Sequence, residues 1–599
     1  MMRGFEWAVR VVRRCVAGAL LAALVCAGCE GRKPPPEPRA QPRGPRDPVV
    51  ADTVGDVTLL EGGGPAEVRG FGVVIGLGDQ GSSDCPTALR EYLVEYLNKE
   101  FLEPGPGRPK PGYTAGKLLD SLDTAVVQLD ARVPPGARKG TRFDVQVSVV
   151  TGTTALSLEG GLLMLSELRL YDPQAVGRGL LAGRVVGRVN GPVFTNPFAE
   201  EGDSGPADQR RGVILGGGVA TEARPVRLLL SEPSYPVARR IENRINEIFG
   251  QAPKTAEAMS QGVVLLNTPS AYEERPFRFI QLATHLYVRN EPAYLDVRLG
   301  QVTERLPQAN LEQAALVWEA IGRAALPRIQ PLYSHSDDVI RFHAARAGLR
   351  LNDATALPAL QGIALQDGNP YQVAAMRELA DCELLQAVDR LLPLLDADNV
   401  EVRIAAYEAL RRHYHPAVRS VRIPHPIDHH QTGLVLDIVS ARTRPMIYVR
   451  RSMEPRLAVF GGDVRISTPL FYAHPRDRVL LSAEEGDEEL TITYRLPSAR
   501  SVSDPVRVRP RVEDLVVRLA ASPAPLDKGD PVGAGLSYAQ VVAVLHALCR
   551  DGTIDAHVEL ERTSISDLLG PQPAGERREA DDDPLLPDGS QQPAPEPPR

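Results

Sequence analysis

The feature that most restricts the fold of this chain is a repeat between residues 337 and 406. Three segments begin with an acidic turn and end with a pair of alanines: DDVIRFHAA at 337–345, DGNPYQVAA at 367–375 and DNVEVRIAA at 398–406. The alanine pairs begin 30 and then 31 residues apart, and segments containing Leu-Pro lie between them. A single helix pair of this size cannot bury its own apolar face, so the repeat predicts helix pairs that stack against their neighbours.

The repeat resembles HEAT-type helical repeats in its order of acidic turn, alanine pair and Leu-Pro-Leu helix. Its period is shorter than the ~40 residues usual for that family, and it is close to the period of the bacterial relatives. We therefore predict an inserted all-α, HEAT-like solenoid over residues 296–420. Modules of this kind bind or space other proteins, so we expect a partner, of unknown identity, for this region.

The residues on both sides of the repeat predict mixed helices and strands. Apolar and polar residues alternate strictly over Phe143–Val149, which is the pattern of a half-buried strand. The predicted fold class is α+β and multidomain, with one α+β part over residues 51–295 and a second over residues 421–565.

Two helices in these flanks have clear sequence signals. Four apolar residues fall on one face of a helix that Gly250 is placed to end: Ile241, Ile245, Ile248 and Phe249. Near the C-terminus, Ser537 and Gln540 have the spacing of a capping box at the start of an apolar stripe.

The N-terminus has the features of an export signal. Basic residues precede a short apolar run, Cys15–Val25, which is too short to span a membrane well. The following Ala27-Gly28-Cys29 resembles a bacterial lipobox, although Cys26 stands where most lipoboxes have Leu. This predicts a signal peptide over residues 1–28 and lipidation of Cys29, and Glu30 points to the outer membrane. The alternative is an ordinary cleaved signal in which Cys29 has no role.

Proline is concentrated at the two ends of the chain. Residues 31–48 read GRKPPPEPRAQPRGPRDP, which predicts an extended, semi-rigid tether over residues 29–50. Residues 566–599 are rich in Pro, Asp and Glu and are predicted to form a disordered tail.

Composition excludes several functions. The formal net charge is −8 and aromatic residues make up 5% of the chain, which argues against binding nucleic acid by charge or by base stacking. Three cysteines lie beyond Cys29, at positions 85, 382 and 549, and their wide spacing matches no disulfide framework or metal cluster.

Motifs for catalysis are also missing from the sequence. Gly76–Gly81 fits a dinucleotide-binding spacing, but Asp79 would face the pyrophosphate, so we interpret it as a structural turn. The histidines at 413, 415, 425, 429 and 430 lack a completing carboxylate or thiol, and Pro424 and Pro426 predict an exposed linker there. We predict no enzyme, no catalytic residue, no cofactor and no metal site.

Six segments, in chain order, resemble motifs of the bacterial flagellar P-ring family. They are VRGFGVVIGLG at 68–78, VPPGARKG and FDVQVS at 133–148, SLEGGLLM at 157–164, PSYPVARRI and INEIFG at 233–250, AVFGGDVRIS at 458–467, and GLSYAQ to GTI over 535–554. The segment at 458–467 is similar to the family's V-V-I-G-G-D-V-R-I-S. The chain departs from typical members in the loop after Gly78, which reads Asp-Gln-Gly-Ser, and in its additional repeats, lipobox and tether.

The resemblance implies a structural role. Members of the family form a periplasmic ring around the flagellar rod in the peptidoglycan layer and act with the L ring as a bushing. It therefore implies a homo-oligomer that contacts the rod, L-ring proteins and peptidoglycan, with the outer membrane reached through the lipid. The motif residues expected to be structural are Gly70, Gly72, Gly76, Gly78, Gly160, Gly161, Gly461, Gly462, Asp463 and Arg465.

One alternative remains open from the sequence. An outer-membrane lipoprotein could use a P-ring-like fold as a scaffold, recruit partners through the repeats and have no part in the flagellum. A cell-wall hydrolase is a third class, but the sequence offers no site for it.

The lipid anchor gives a direct prediction. Replacing Cys29 with Ser should abolish the incorporation of labelled fatty acid into the protein, because the thiol is the group that would be acylated. The measurement is radiolabelled or alkyne-tagged fatty acid in the purified protein, and Cys85→Ser serves as the control that keeps the label. Label retained by Cys29→Ser would contradict the anchor.

Overall fold

The computed structural model describes residues 49–102, 114–171, 183–196, 209–273, 275–306, 310–366, 368–382, 388, 391–425, 432–474, 479–495, 502–523 and 532–561. The predicted signal peptide, Cys29, nearly all of the tether and the C-terminal tail lie outside these residues. The described part contains both helices and sheets, which confirms the predicted α+β class. No helix within it is long and apolar enough to cross a membrane.

The elements are numbered in chain order. The helices are α1 Val54–Val57, α2 Thr87–Leu97, α3 Ala115–Leu119, α4 Tyr235–Phe249, α5 Pro276–His285, α6 Pro292–Glu304, α7 Leu311–Ile321, α8 Leu326–Ile329, α9 Asp338–Arg350, α10 Leu357–Ala364, α11 Gln372–Asp381, α12 Val400–Arg412, α13 Val512–Ala520 and α14 Tyr538–Arg550.

The strands of the N-terminal part are β1 Thr58–Glu61, β2 Ala66–Ile75, β3 Thr124–Val133, β4 Arg142–Val149, β5 Leu162–Leu170, β6 Val185–Pro192, β7 Arg211–Ala220, β8 Val226–Leu230, β9 Ala256–Ala258 and β10 Val263–Leu266. Those of the C-terminal part are β11 Val418–Pro424, β12 Thr432–Val439, β13 Met446–Val449, β14 Arg456–Phe460, β15 Leu470–His474, β16 Val479–Ala483, β17 Leu490–Tyr494, β18 Val506–Val508 and β19 His557–Leu560.

Six of these strands form a closed antiparallel barrel in the order β2-β3-β4-β7-β6-β5. Strand β4 confirms the predicted alternation, since Phe143, Val145 and Val147 are buried in the barrel core and the residues between them are more exposed. Helices α2 and α3 cover part of the outer surface, where Leu93 and Leu119 pack in one cluster with Phe71 of β2. Apolar side chains therefore line both sides of the barrel wall at β2 and β3.

A second sheet, in the order β1-β8-β10-β9, packs with helices α4 and α5. Ile241 and Ile245 of α4 are fully buried, as predicted, and Gly250 caps the helix. Ile248 is 45% exposed, so its predicted place on the buried face is wrong. Phe249 does pack on the predicted face, with its ring centroid 5.0 Å from that of Phe279.

Helices occupy most of the described residues between 276 and 412, and the repeated acidic turns begin three of them. The side chains of Asp337, Asn369 and Asn399 each accept a hydrogen bond from a backbone N–H two residues later, at 2.8–2.9 Å. The bonds to Asp337 and Asn399 satisfy donors that the first turns of α9 and α12 leave unpaired, whereas the bond to Asn369 lies just before α11. In each alanine pair that follows at least one residue is fully buried, and the small size of these side chains lets α9, α10, α11 and α12 pack in succession.

The C-terminal part has two sheets, β11-β12-β14-β13-β19 and β15-β16-β17-β18, with helices α13 and α14. The predicted capping box at the start of α14 is present, with both Ser537 and Gln540 bonded. The linker predicted around Pro424 and Pro426 is wrong for the described residues, because Val418–Pro424 is strand β11, although Pro424 itself is exposed. Pro426 lies outside the described residues. This strand is at the edge of its sheet, where a proline at the end removes no hydrogen bond from a neighbour.

A buried polar cluster joins the last described helix of the repeats to this C-terminal part. The Asp437 carboxylate, fully buried on β12, accepts hydrogen bonds at 2.5 Å from Tyr407 of α12, Ser420 of β11 and Arg456 of β14. Removing any one partner would leave a buried charge or donor unpaired, which is costly. Helix α12 is therefore fixed to the sheet.

Candidate functional site

The motif glycines of β2 lie where the barrel closes. A Cβ on Gly70 would be 2.2 Å from the backbone carbonyl oxygen of Glu167, and one on Gly72 would be 2.3 Å from Oγ of Ser166. Both contacts are with β5, and a real Cβ does not approach other atoms this closely. The absent side chains thus allow β2 and β5 to meet.

The other barrel glycines of the predicted set shape turns beside this seam. Gly76 and Gly78 have φ angles of +82° and +66°, and the Gly78 N–H donates to Asp123 at 2.6 Å. This agrees with their interpretation as a structural turn. Gly160 lies in the turn before β5, and a Cβ on it would be 3.7 Å from the side chain of Gln540 on α14. A Cβ on the next residue, Gly161, would be only 2.4 Å from the side chain of Val74.

The C-terminal motif residues lie in a separate place, after β14. Gly461 has a φ of +112°, and Gly462 has open space around it. Asp463 forms ion pairs with Arg465 at 3.2 Å and Arg511 at 3.1 Å. These four motif residues hold the turn between β14 and the next segment, and the structure does not bring them together with the barrel glycines.

The two α+β parts meet at the half-buried carboxylate of Asp144, a residue that the sequence pattern predicts only as part of a strand. Oδ1 of Asp144 on β4 accepts hydrogen bonds from the backbone N–H groups of Gly216 at 2.6 Å and Met453 at 2.9 Å. A Cβ on Gly216 would be 2.1 Å from the Met453 carbonyl oxygen. Burial raises the pKa of Asp144, the two N–H groups oppose this rise, and nearby Glu561 adds to it.

Aromatic packing extends the same interface. The ring centroids of Phe194 and Tyr538 are 5.3 Å apart, and Phe194, from the segment after β6, is buried in the core of the C-terminal part. The Tyr538 hydroxyl donates to the Arg456 carbonyl at 2.6 Å. The barrel and the C-terminal sheets are therefore docked through both polar and apolar contacts.

The candidate metal ligands of the sequence are not brought together in the described part of the chain. Among the residues that the structure describes, no three His, Cys, Asp or Glu side chains are grouped to hold a metal ion. His413 and His415 follow α12, His425 is buried after β11, and the other two histidines of that stretch are outside the described part. The predicted motif residues serve turns, ion pairs and close backbone approach.

Comparison with known proteins agrees with the resemblance in the sequence. Residues 53–297 match the family model described as flagellar P-ring protein, which confirms the resemblance for the barrel and the sheet beside it. The flagellar P-ring protein of Geobacter metallireducens is 28% identical over 253 residues, 40% of this chain and 62% of that protein. That of Nitrosospira multiformis is 28% identical over 274 residues, 45% of this chain and 68% of its own length.

The relative from Aquifex aeolicus, also a flagellar P-ring protein, is 27% identical over 244 residues, 39% of this chain and 60% of that protein. The chain thus spans a little under two thirds of the length of the Geobacter metallireducens and Aquifex aeolicus proteins.

The seam of the barrel gives a prediction about Gly70. Gly70→Ala should lower the free energy of unfolding by about 1–3 kcal/mol, because its Cβ meets a backbone oxygen that cannot rotate away. Urea denaturation followed by circular dichroism measures the change. Gly64→Ala is the matched control, since a Cβ there meets nothing within 4 Å. Equal stability of the two variants would contradict the steric explanation.

The docking carboxylate gives a second prediction, on pH. Asp144→Ala should lower the free energy of unfolding by about 1 kcal/mol, because the N–H groups of Gly216 and Met453 lose their acceptor, whereas the amide oxygen introduced by Asp144→Asn still accepts both. The raised pKa means that the folded chain holds this proton more tightly than the unfolded chain. Protonation of Asp144 therefore stabilises the folded chain. This contribution to the free energy of unfolding is full below the ordinary pKa of 3.8 and is lost as the pH rises through the higher folded-state pKa.

Asp144→Asn should accordingly be at least as stable as the parent at pH 7. The difference in free energy of unfolding between the two should shrink as the pH falls toward 4. Urea denaturation at a series of pH values measures this. An Asn variant as unstable as the Ala variant at pH 7 would show that the negative charge itself is needed.

Proposed function

We propose that this chain is a structural subunit of a periplasmic ring of the bacterial flagellar basal body, a P-ring-like bushing around the rod, and not an enzyme. The observation that carries the proposal is the match of residues 53–297 to the flagellar P-ring family. The placement of Gly70, Gly72 and Gly161 at close contacts of the barrel, where a Cβ would meet other atoms, supports it, because these motif glycines then specify a shape.

A ring requires repeated head-to-tail contacts between identical subunits, so the chain would be a homo-oligomer. Its partners would be the flagellar rod, L-ring proteins and the peptidoglycan layer, and its location the periplasm at the basal body. The named relatives are flagellar P-ring proteins, and these partners are carried over from that role.

The helical region would add a binding or spacing module to this ring. We propose that residues 296–420 form HEAT-like repeats inserted between the α+β parts at 51–295 and 421–565, and that they project from the ring surface toward an unidentified partner. The capped starts of α9 and α12 and the buried alanines of α9, α11 and α12 support this assignment, since they recur with the sequence repeat.

An anchor would complete the arrangement. In this proposal residues 1–28 are a lipoprotein signal, Cys29 carries lipid in the outer membrane, residues 29–50 are the tether and residues 566–599 are a disordered tail. The support is the sequence pattern alone, and the fatty-acid labelling of Cys29→Ser tests it.

The alternative function is an outer-membrane lipoprotein scaffold that uses the same fold outside the flagellum. It is favoured by the helical region, because helices α7 to α12 follow the segment that matches the flagellar family. In that case the repeats would carry the function and the barrel would be a support.

Deleting the gene separates the two functions. If the chain is a ring subunit, the mutant should fail to swim on soft agar, and purified basal bodies should lack the ring in electron micrographs, because the rod has lost its bushing. Restoring the intact gene is the control and should restore both. Motile mutant cells with complete rings would contradict the flagellar role and favour the scaffold.

A further inference from the structure

The hairpin loop between β13 and β14, residues 450–455, carries the polar contact between the C-terminal part and the barrel. At its tip, the backbone N–H of Met453 donates to both carboxylate oxygens of Asp144, at 2.9 and 3.2 Å. The Met453 carbonyl lies against β7, where a Cβ on Gly216 would be 2.1 Å from its oxygen. The position of this tip therefore decides whether Asp144 is paired with the C-terminal part.

The tip has a backbone conformation that its residue does not favour. Met453 has a φ of +59°, in the left-handed region that residues other than glycine rarely adopt. Such a conformation persists only where the surrounding contacts fix it. Tyr538 fixes the two ends of the loop, since its hydroxyl contacts the carbonyl oxygens of Arg450 at 2.9 Å and Arg456 at 2.6 Å. The tip itself needs a further support.

Glu561, directly after β19, supplies that support. Its Oε2 accepts hydrogen bonds from the backbone N–H of Arg451 at 2.7 Å and from the Ser452 hydroxyl at 2.8 Å. The Arg451 guanidinium donates to the Glu561 carbonyl at 3.1 Å, and Nε of Arg450 lies 3.6 Å from Oε1. One residue thus holds the three loop residues that precede Met453.

Strand β19 is held less firmly than the strands inside its sheet. It is the last strand in the order, so it pairs with β13 alone, over four residue pairs. His557 is exposed and the other three residues are half-buried. Segments with few buried contacts open locally at a lower free energy than the core of a protein. The end of β19 can therefore leave the loop without unfolding of the sheet.

We propose that Glu561 is a positioning residue and that the end of β19 is a latch for the docking of the two α+β parts. With Glu561 in place, the loop presents the Met453 N–H to Asp144. When Glu561 is withdrawn, the tip relaxes and this hydrogen bond is lost, while the barrel and the C-terminal sheet stay folded. The inference concerns the folded chain alone, so the outcome of the gene deletion does not affect it.

A competing effect of Glu561 has the opposite sign. Its carboxylate is a negative charge near Asp144 and adds to the rise in the pKa of Asp144. If this repulsion dominated, removing Glu561 would strengthen the contact between Asp144 and Met453. The latch requires that the same removal weakens the contact, so the direction of the change separates the two effects.

Hydrogen exchange of the full-length protein, read by mass spectrometry on peptides that cover residues 450–456, measures how often the tip opens. Glu561→Ala should accelerate exchange of the Met453 N–H about tenfold, or ~1.4 kcal/mol, and leave the amides of α14 and β3 unchanged. Glu561→Gln should stay within about threefold of the parent, because its amide oxygen still accepts from Arg451 and Ser452. His557→Ala, on the same strand with a side chain 64% exposed, is the matched control and should change nothing.

A double-mutant cycle tests the route through the loop. Ser452→Ala and Glu561→Ala together should accelerate exchange by less than the product of their separate effects, because both remove the same hydrogen bond. Fully independent effects would overturn the proposal. Unchanged or slower exchange in Glu561→Ala would also overturn it, and slower exchange would show that repulsion from Asp144 dominates. Lost protection throughout the chain in both the Ala and the Gln variants of Glu561 would assign this residue to the whole fold instead of the loop.

Discussion

Closure of the barrel between β2 and β5 is the interaction on which the rest of the structure depends. An open six-stranded sheet has two unpaired edges, and pairing these strands removes both. The pairing is made around Val68 and Arg69 and again at Val74 and Ile75, with an irregularity between. Gly70 and Gly72 lie in that interval, where the backbone and side chains of β5 fill the space that a Cβ would need. A larger residue would force the strands apart at their point of closure.

The closed barrel gives the remaining parts a fixed surface on which to dock. Asp144 and Phe194 on the barrel side contact the C-terminal part, through the Met453 N–H and the Tyr538 ring. The C-terminal sheet in turn holds helix α12 through Asp437 and Tyr407. At the other end of the helices, Arg278 of α5 pairs with Glu319 of α7. The helices between these parts are therefore attached at both of their ends to parts that also contact each other.

Local signals in the sequence predicted local structure well. The alternation over 143–149, the Ser537 capping box and the helix starts at the repeated turns all depend on residues a few positions apart, and the structure has each of them. Ile248 and the Pro424 stretch were predicted wrongly, because burial in the last turn of α4 and pairing of β11 are decided by tertiary neighbours.

Contacts between distant parts of the chain could not be predicted, because they have no signal in the local sequence. Asp144 and Met453 are separated by 309 positions, and nothing near Asp144 distinguishes it from a solvent-facing residue of an alternating strand. The motif glycines were recognised through a family resemblance, and the steric reason for them needed the coordinates of β5. The barrel order, in which β5 closes onto β2, likewise depends on pairing that hydrophobic periodicity does not encode.

The double attachment of the helices has a consequence for the evolution of this chain. An open helical solenoid gains or loses repeats freely, because each repeat contacts only its neighbours. Here one end of the helices is tied to α5 and the other to β12, while the barrel and the C-terminal sheets are held together by Asp144. One repeat more or less would move the C-terminal part away from its acceptor on the barrel. The number of repeats is thus a fixed dimension of the fold, and relatives that keep this docking should keep the same repeat number.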